Sequence, residues 1–223
     1  MNTTAIILAF DVVSILVCLL AFLSAVFQWK ESKNALDVGV MILVGVLTLS
    51  IVAQIITSVY QNYLGDEAIL PSLGYMGLID LFQLLTGFVY AWFIFYLMDW
   101  KRMYSIPLVS SYFSGLLLGM YDIDLPFRIF TGAAVVVGSL VLLYNSIKNK
   151  HALSLALAIC GILFVVNVLL RSFGILYARV IAQNLGVMSI ILAENGWIDE
   201  HIFFDKVERN KVRNVWIAKR IGN

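Results

Sequence analysis

The sequence predicts an all-α, polytopic membrane protein, a seven-transmembrane-helix bundle in one domain, and three observations carry that prediction. Of 223 residues, 61% are hydrophobic and 13% charged, about half the charged fraction of a soluble domain. The mean hydropathy is +0.93. Several apolar runs exceed the roughly 20 residues that take a helix across a bilayer core, and the breaks between them alternate between basic and acidic.

The elements follow from those breaks. Helix one is expected over 4–27. No Lys or Arg precedes it, whereas a cleavable signal peptide has a basic leading region, so this run is read as a retained helix. The polar stretch Gln28–Asn34 separates it from helix two, 35–59. A longer connection, Gln61–Ser72, holds Gly65, Asp66, Glu67 and Pro71 and leads to helix three, 73–98. Asp99–Tyr104 precedes helix four, 105–121, whose Ser110, Ser111, Ser114, Gly115 and Gly119 suit a close packing seam. Asp122 and Asp124 ahead of Pro126 make a carboxylate-then-proline start for helix five, 126–147. Asn145–Lys150 separates it from helix six, 151–171. A break near Arg171–Gly174 is required by length, because one helix over 151–196 would run about 69 Å. Helix seven then covers 174–196, which closes a helical domain at 1–196. The remaining 197–223 is a basic tail whose apolar residues are interleaved with charge, read either as a solvated stop-transfer flank or as a juxtamembrane helix on the inner surface.

Orientation follows from the basic residues. Lys30, Lys33, Lys101, Arg102, Lys148 and Lys150 occupy the first, third and fifth connections, and the tail adds Lys206, Arg209, Lys211, Arg213, Lys219 and Arg220. The alternate connections carry Asp66, Glu67, Asp122 and Asp124, with Arg128 and Arg171 at their edges. Trp29, Trp100 and Trp197 fall at helix ends on the basic side, where interfacial anchors belong. The expected topology is N-terminus outside, C-terminus cytoplasmic, in the cell membrane.

That topology turns scattered polar residues into a layer. Arg179 lies about 7–8 Å below the outer end of helix seven, Asp80 about 9 Å and Asp11 about 10 Å below theirs, and Gln54 and Asn167 about 7–9 Å before theirs. Gln83 and Gln183 come one turn deeper. Buried charge needs compensation, and depth makes Asp80 the expected partner of Arg179. Asp11, Gln54, Asp80, Gln83, Asn167, Arg179 and Gln183 are therefore candidates to line an outward-facing pocket or ion pathway. Glu194, on the same helix-seven face and beyond Gly186, is a candidate inner gate. Asp37 and Glu194 are expected to reach the inner interface, and no second polar layer is expected there. The competing reading is a polar network that only fixes helix packing.

A three-one-three internal repeat is a further expectation. Lys33-Asn34-Ala35-Leu36 resembles Lys150-His151-Ala152-Leu153, and the same offset pairs Ile42 with Ile159 and Tyr60 with Tyr177. Helices one to three would match five to seven, with helix four as the link.

Other chemistry has little footing. The net charge of +1 leaves no bulk electrostatic basis for nucleic-acid binding. Cys18 and Cys160 sit inside apolar runs, and His151 and His201 have no metal-ligand spacing, so neither a metal site nor a catalytic set is expected. The layout resembles that of microbial rhodopsins and of SWEET and semiSWEET sugar transporters. The residues that would carry either resemblance are missing: no lysine occurs between Lys150 and Lys206 to hold retinal, and no Pro-Gln pair is present. No cofactor is expected. Two function classes follow, with the bilayer as common partner. One is transport or binding of a small solute or ion through the polar layer, with Gly87, Gly186 and Glu194 near a gate. The other is a receptor-like or scaffold protein whose tail meets a cytoplasmic partner or anionic lipid.

Overall fold

A computed structural model describes residues 3–33, 35–59, 77–173 and 176–203, with backbone only at 3–7, 32, 57–58, 78–79, 171–172, 176–177 and 179. Seven α-helices follow one another there: α1 (Thr3–Ser32), α2 (Ala35–Val59), α3 (Leu78–Leu97), α4 (Ser105–Tyr121), α5 (Leu125–Asn149), α6 (Ala152–Ser172) and α7 (Leu176–Glu194). The described residues contain no strand. Six helices are long and apolar enough to cross a membrane, whereas α7 contributes a shorter apolar stretch, Val180–Glu194. By length and composition this is a multi-pass helical membrane protein. The basic tail beyond Phe203 lies outside the described residues.

Helix ends depart from expectation where polar residues are good helix formers. α1 runs on through Gln28, Trp29, Lys30 and Glu31 to Ser32, because Gln, Lys and Glu continue a helix readily once it has left the apolar run. It stops where Lys33 turns left-handed (φ 54°) and donates its N–H to the Trp29 carbonyl at 2.9 Å, satisfying one of the last helical acceptors. α5 likewise reaches Asn149 and stops at Lys150 (φ 48°). The start of α3 moves the other way. Gly77 is extended (φ −77°, ψ 167°), so the helix begins at Leu78 rather than near 73.

Packing arranges six of the helices in a ring in the order α1, α2, α3, α5, α6, α7 and back to α1, with α4 outside against α3 and α5. Ser111, Ser114 and Gly115 of α4 are buried, as a close seam requires. α1 and α5 close the two ends of the ring, leaving the α2–α3 side to face the α6–α7 side. The two sides approach through Tyr90 of α3. A Cβ on Gly138 of α5 would stand 3.0 Å from the Tyr90 carbonyl oxygen, and one on Gly161 of α6 would collide with Ser139 Oγ and stand 2.7 Å from the Tyr90 ring. Glycine at these positions lets three helices meet around one phenol.

Candidate functional site

A cavity of about 70 Å³ lies between the two sides of the ring, in the half away from the basic connections. The α2 wall supplies Leu43, Leu47, Ser50 and Gln54; the α3 wall supplies Gln83, Thr86 and Tyr90. Facing them, α6 contributes Cys160, Phe164, Asn167 and Val168, and α7 contributes Ala182, Gln183 and Gly186. A single water needs about 10–15 Å³ of such space, so the cavity holds several waters or a small solute.

Its polar lining combines four amides with the hydroxyls of Ser50, Thr86 and Tyr90. Gln54 Nε2 donates to Ser50 Oγ at 3.4 Å, and Asn167 Nδ2 donates to Gln183 Oε1 at 3.3 Å across the α6–α7 crossing. Each amide offers two donors and a two-lone-pair acceptor. None of the described lining residues is charged.

The cavity floor is closed by Tyr90, whose hydroxyl donates to the Leu157 carbonyl of α6 at 3.0 Å. Toward the basic end, Val40, Val44, Phe93, Leu157 and Ile190 come from all four walls and are fully buried. The bundle is polar and hollow in one half and apolar and filled in the other.

Four of the seven expected site residues thus meet: Gln54, Gln83, Asn167 and Gln183. Two of the others are placed differently. Asp11 is buried on α1 but does not line the cavity, because α1 closes an end of the ring instead of forming one of the four walls. Asp80 falls in the first turn of α3, where its carboxylate accepts the Gly77 N–H at 3.0 Å. A carboxylate there stabilises the positive end of the helix. Position 179 is helical, but the Arg179 side chain, and with it the expected Asp80–Arg179 pair, lies outside the described residues. Tyr90, Thr86 and Ser50 were not among the expected site residues. Each lies at helical spacing from an expected one (Thr86 and Tyr90 after Gln83, Ser50 before Gln54), which is the signal that points to them.

The basic end holds a second polar group that the sequence reading does not anticipate. Asp37 and Glu194 are buried, with 4% and 6% of their surfaces exposed, rather than reaching the interface. Gln28 Nε2 donates to the Glu194 backbone carbonyl at 2.7 Å, tying α1 to the end of α7. His151, just before α6, accepts the Ser154 N–H at its Nδ1 at 3.2 Å. Since an amide N–H only donates, the His151 ring proton is on Nε2. Burial lowers the His151 imidazole below its ordinary range, and the charge of Asp37 opposes this.

Comparison with family models, with curated proteins and with solved structures finds no match to this chain. The fold defines the class: an all-helical protein of the multi-pass membrane type, with an internal amide-lined cavity. A particular activity has to be argued from the cavity itself.

Proposed function

We propose that the cavity binds a small, neutral, hydrogen-bonding solute and that the protein carries such a solute across the membrane. The observation that carries this reading is the combination of four convergent amides with the absence of charge among the described lining residues, closed on one side by an apolar plug. A dehydrated ion would find no counter-charge among the described lining residues, and burying a charge without one is costly. A polar neutral molecule would exchange water hydrogen bonds for amide ones at little cost.

In the same reading, seven helices span the cell membrane, with the N-terminus outside and the basic connections and tail on the cytoplasmic side, so the cavity belongs to the outer half. The chain is also built as two parallel three-helix repeats joined by α4. Several observations support the repeat. Leu43 and Cys160, Leu47 and Phe164, and Ser50 and Asn167 are each 117 positions apart, and all six line the cavity. Gln83 and Gln183, like Thr86 and Gly186, are 100 positions apart and line it from α3 and α7. Lys33 and Lys150, again 117 apart, end α1 and α5 in the same left-handed conformation. Ser14 Oγ bonds the Phe10 carbonyl and Thr131 Oγ1 the Phe127 carbonyl, both at 2.9 Å, at that offset too. Parallel repeats with a site at their interface are a recurrent transporter plan.

Purified full-length protein in liposomes, given labelled neutral polar solutes (a polyol, a sugar, a small amide) and labelled sodium and chloride in parallel, tests the proposal. Uptake of at least one neutral solute is expected, with a loss of about tenfold, the cost of about 1.4 kcal/mol of binding, for Asn167→Leu. Uptake of the ions alone, or uptake unchanged by Asn167→Leu, overturns it. No uptake together with tail-dependent capture of a cytoplasmic partner favours the receptor or scaffold class.

A further inference from the structure

The cavity is graded along the helix axes. Each of its four walls carries an amide at one level: Gln54 on α2, Gln83 on α3, Asn167 on α6 and Gln183 on α7. Seven residues nearer the basic end, on the same face of each helix, stand Leu47, Tyr90, Cys160 and Ile190. Two helical turns set the levels about 10 Å apart. Leu47, Tyr90 and Cys160 line the cavity, and Ile190 belongs to the buried plug beneath it. Between the two levels come Ser50, Thr86, Phe164 and Gly186.

Below the amides, two hydroxyl protons are committed to the backbone. Thr86 Oγ1 donates to the Phe82 carbonyl at 2.9 Å, and the Tyr90 hydroxyl to the Leu157 carbonyl at 3.0 Å. Ser50 Oγ accepts the Gln54 amide at 3.4 Å. The rest of the lining at that depth is hydrocarbon and sulfur: Leu43, Leu47, the Phe164 ring and the Cys160 thiol, with Gly186 adding no side chain. A molecule polar on every edge would bury hydrogen-bonding groups against these surfaces, which is costly. A molecule polar at one end would not. Size is bounded as well. The cavity of about 70 Å³, at about 10–15 Å³ for each water-sized group, has room for about five to seven such groups. An amide head takes about three of them and leaves about two to four carbons.

Building on the solute-binding reading above, we propose that the cavity takes a neutral amphiphile. Its head, a group that both donates and accepts such as a primary amide, lies among Gln54, Gln83, Asn167 and Gln183. Its arm, an unbranched hydrocarbon of about two to four carbons, points toward the basic end between Leu47, Phe164 and Cys160. Tyr90, as the floor, limits the length of the arm, and Leu47 and Phe164 set its width. Each methylene buried along the arm tightens binding about fourfold until the floor is reached. Binding of this kind holds whether or not the solute is then carried across the membrane.

Full-length protein in lipid nanodiscs, titrated with straight-chain primary amides from acetamide to heptanamide and with glycerol and erythritol, tests this. Occupancy is read as protection of Cys160 from methylthiolation, followed by the mass of its peptide, and as the rise in Tm that a bound ligand produces. If Cys160 resists the reagent, the Tm series decides. Half-saturating concentration is expected to fall about fourfold per methylene to an optimum between propanamide and pentanamide, and to rise again by heptanamide. Leu47→Phe should move the optimum to a shorter amide and Phe164→Leu to a longer one. Occupancy that climbs with chain length alike in the parent and both variants is partition into lipid and overturns the proposal. So does occupancy by the polyols equal to that by the amides, or by neither series. Amides that occupy the cavity without entering liposomes leave the amphiphile site standing and end the transport reading. Uptake of polyols without amide occupancy does the reverse.

Discussion

The two halves of this bundle use the same four helices for opposite purposes. In the half away from the basic connections, α2, α3, α6 and α7 turn amides toward one another and leave a cavity. One or two turns further along the same helices, Val40, Val44, Phe93, Leu157 and Ile190 fill the same space completely. Stability and binding capacity are thus separated along the helix axes. Substitutions in the filled half should act chiefly on folding, and those in the hollow half chiefly on what the cavity holds.

The sharpest way to break that comparison is at Phe93. Its ring is fully buried and packs edge-on against Tyr90, with ring centres 5.9 Å apart. Phe93→Ala is expected to cost about 3–5 kcal/mol, since it leaves a void that helices cannot collapse. Denaturant or thermal unfolding in detergent measures the loss. A change well below that range would mean the plug is loosely packed and the division into halves is false. Next in size is Gly161→Ala. The added methyl would strike Ser139 Oγ, which is itself bonded to the Val135 carbonyl at 2.7 Å, and would press on the Tyr90 ring. Overpacking of this kind costs about 1–3 kcal/mol. Adding Ser139→Ala should recover part of the loss, because the first clash is with that hydroxyl. An additive double variant would locate the strain elsewhere.

These positions also mark what could be read without coordinates. The six apolar helices long enough to cross a membrane are legible from apolar length and from short polar breaks, which local chemistry dictates. Gln54, Gln83, Asn167 and Gln183 could be grouped by depth, because a helix converts residue number into height at a fixed rise. Height does not determine direction around the helix, nor which helix stands next to which. That is why Asp11 was grouped with the amides although α1 closes an end of the ring. Nor does height reveal that the Asp80 carboxylate caps the start of α3. Asp37 and Glu194 failed for a related reason. Near a helix end, depth alone does not separate a side chain that reaches water from one covered by α1 and by the residues after α7, such as the buried Ile198. Gly161 offered no signal at all: nothing local reveals that a glycine faces a phenol two helices away.

The smallest stability effect is expected in the hollow half, and it is also the most informative about how the cavity is built. Gln83 and Gln183 face it from α3 and α7 at positions 100 apart. Leucine in place of either keeps a similar volume and a good helix former. Because these amides border a space large enough for water, losing one leaves few buried partners stranded, and each single change should alter stability by less than about 0.5–1 kcal/mol. Both should nevertheless reduce solute uptake in liposomes, and by similar factors if the two sides of the ring are equivalent repeats. If Gln83→Leu is silent while Gln183→Leu abolishes uptake, the cavity works from the α6–α7 side, where Gln183 already meets Asn167 at 3.3 Å. The matched positions would then reflect common ancestry of the repeats without shared duty. If both variants unfold the protein while transport by the folded fraction is unchanged, the amides serve helix packing, and the contrast between a binding half and a structural half disappears.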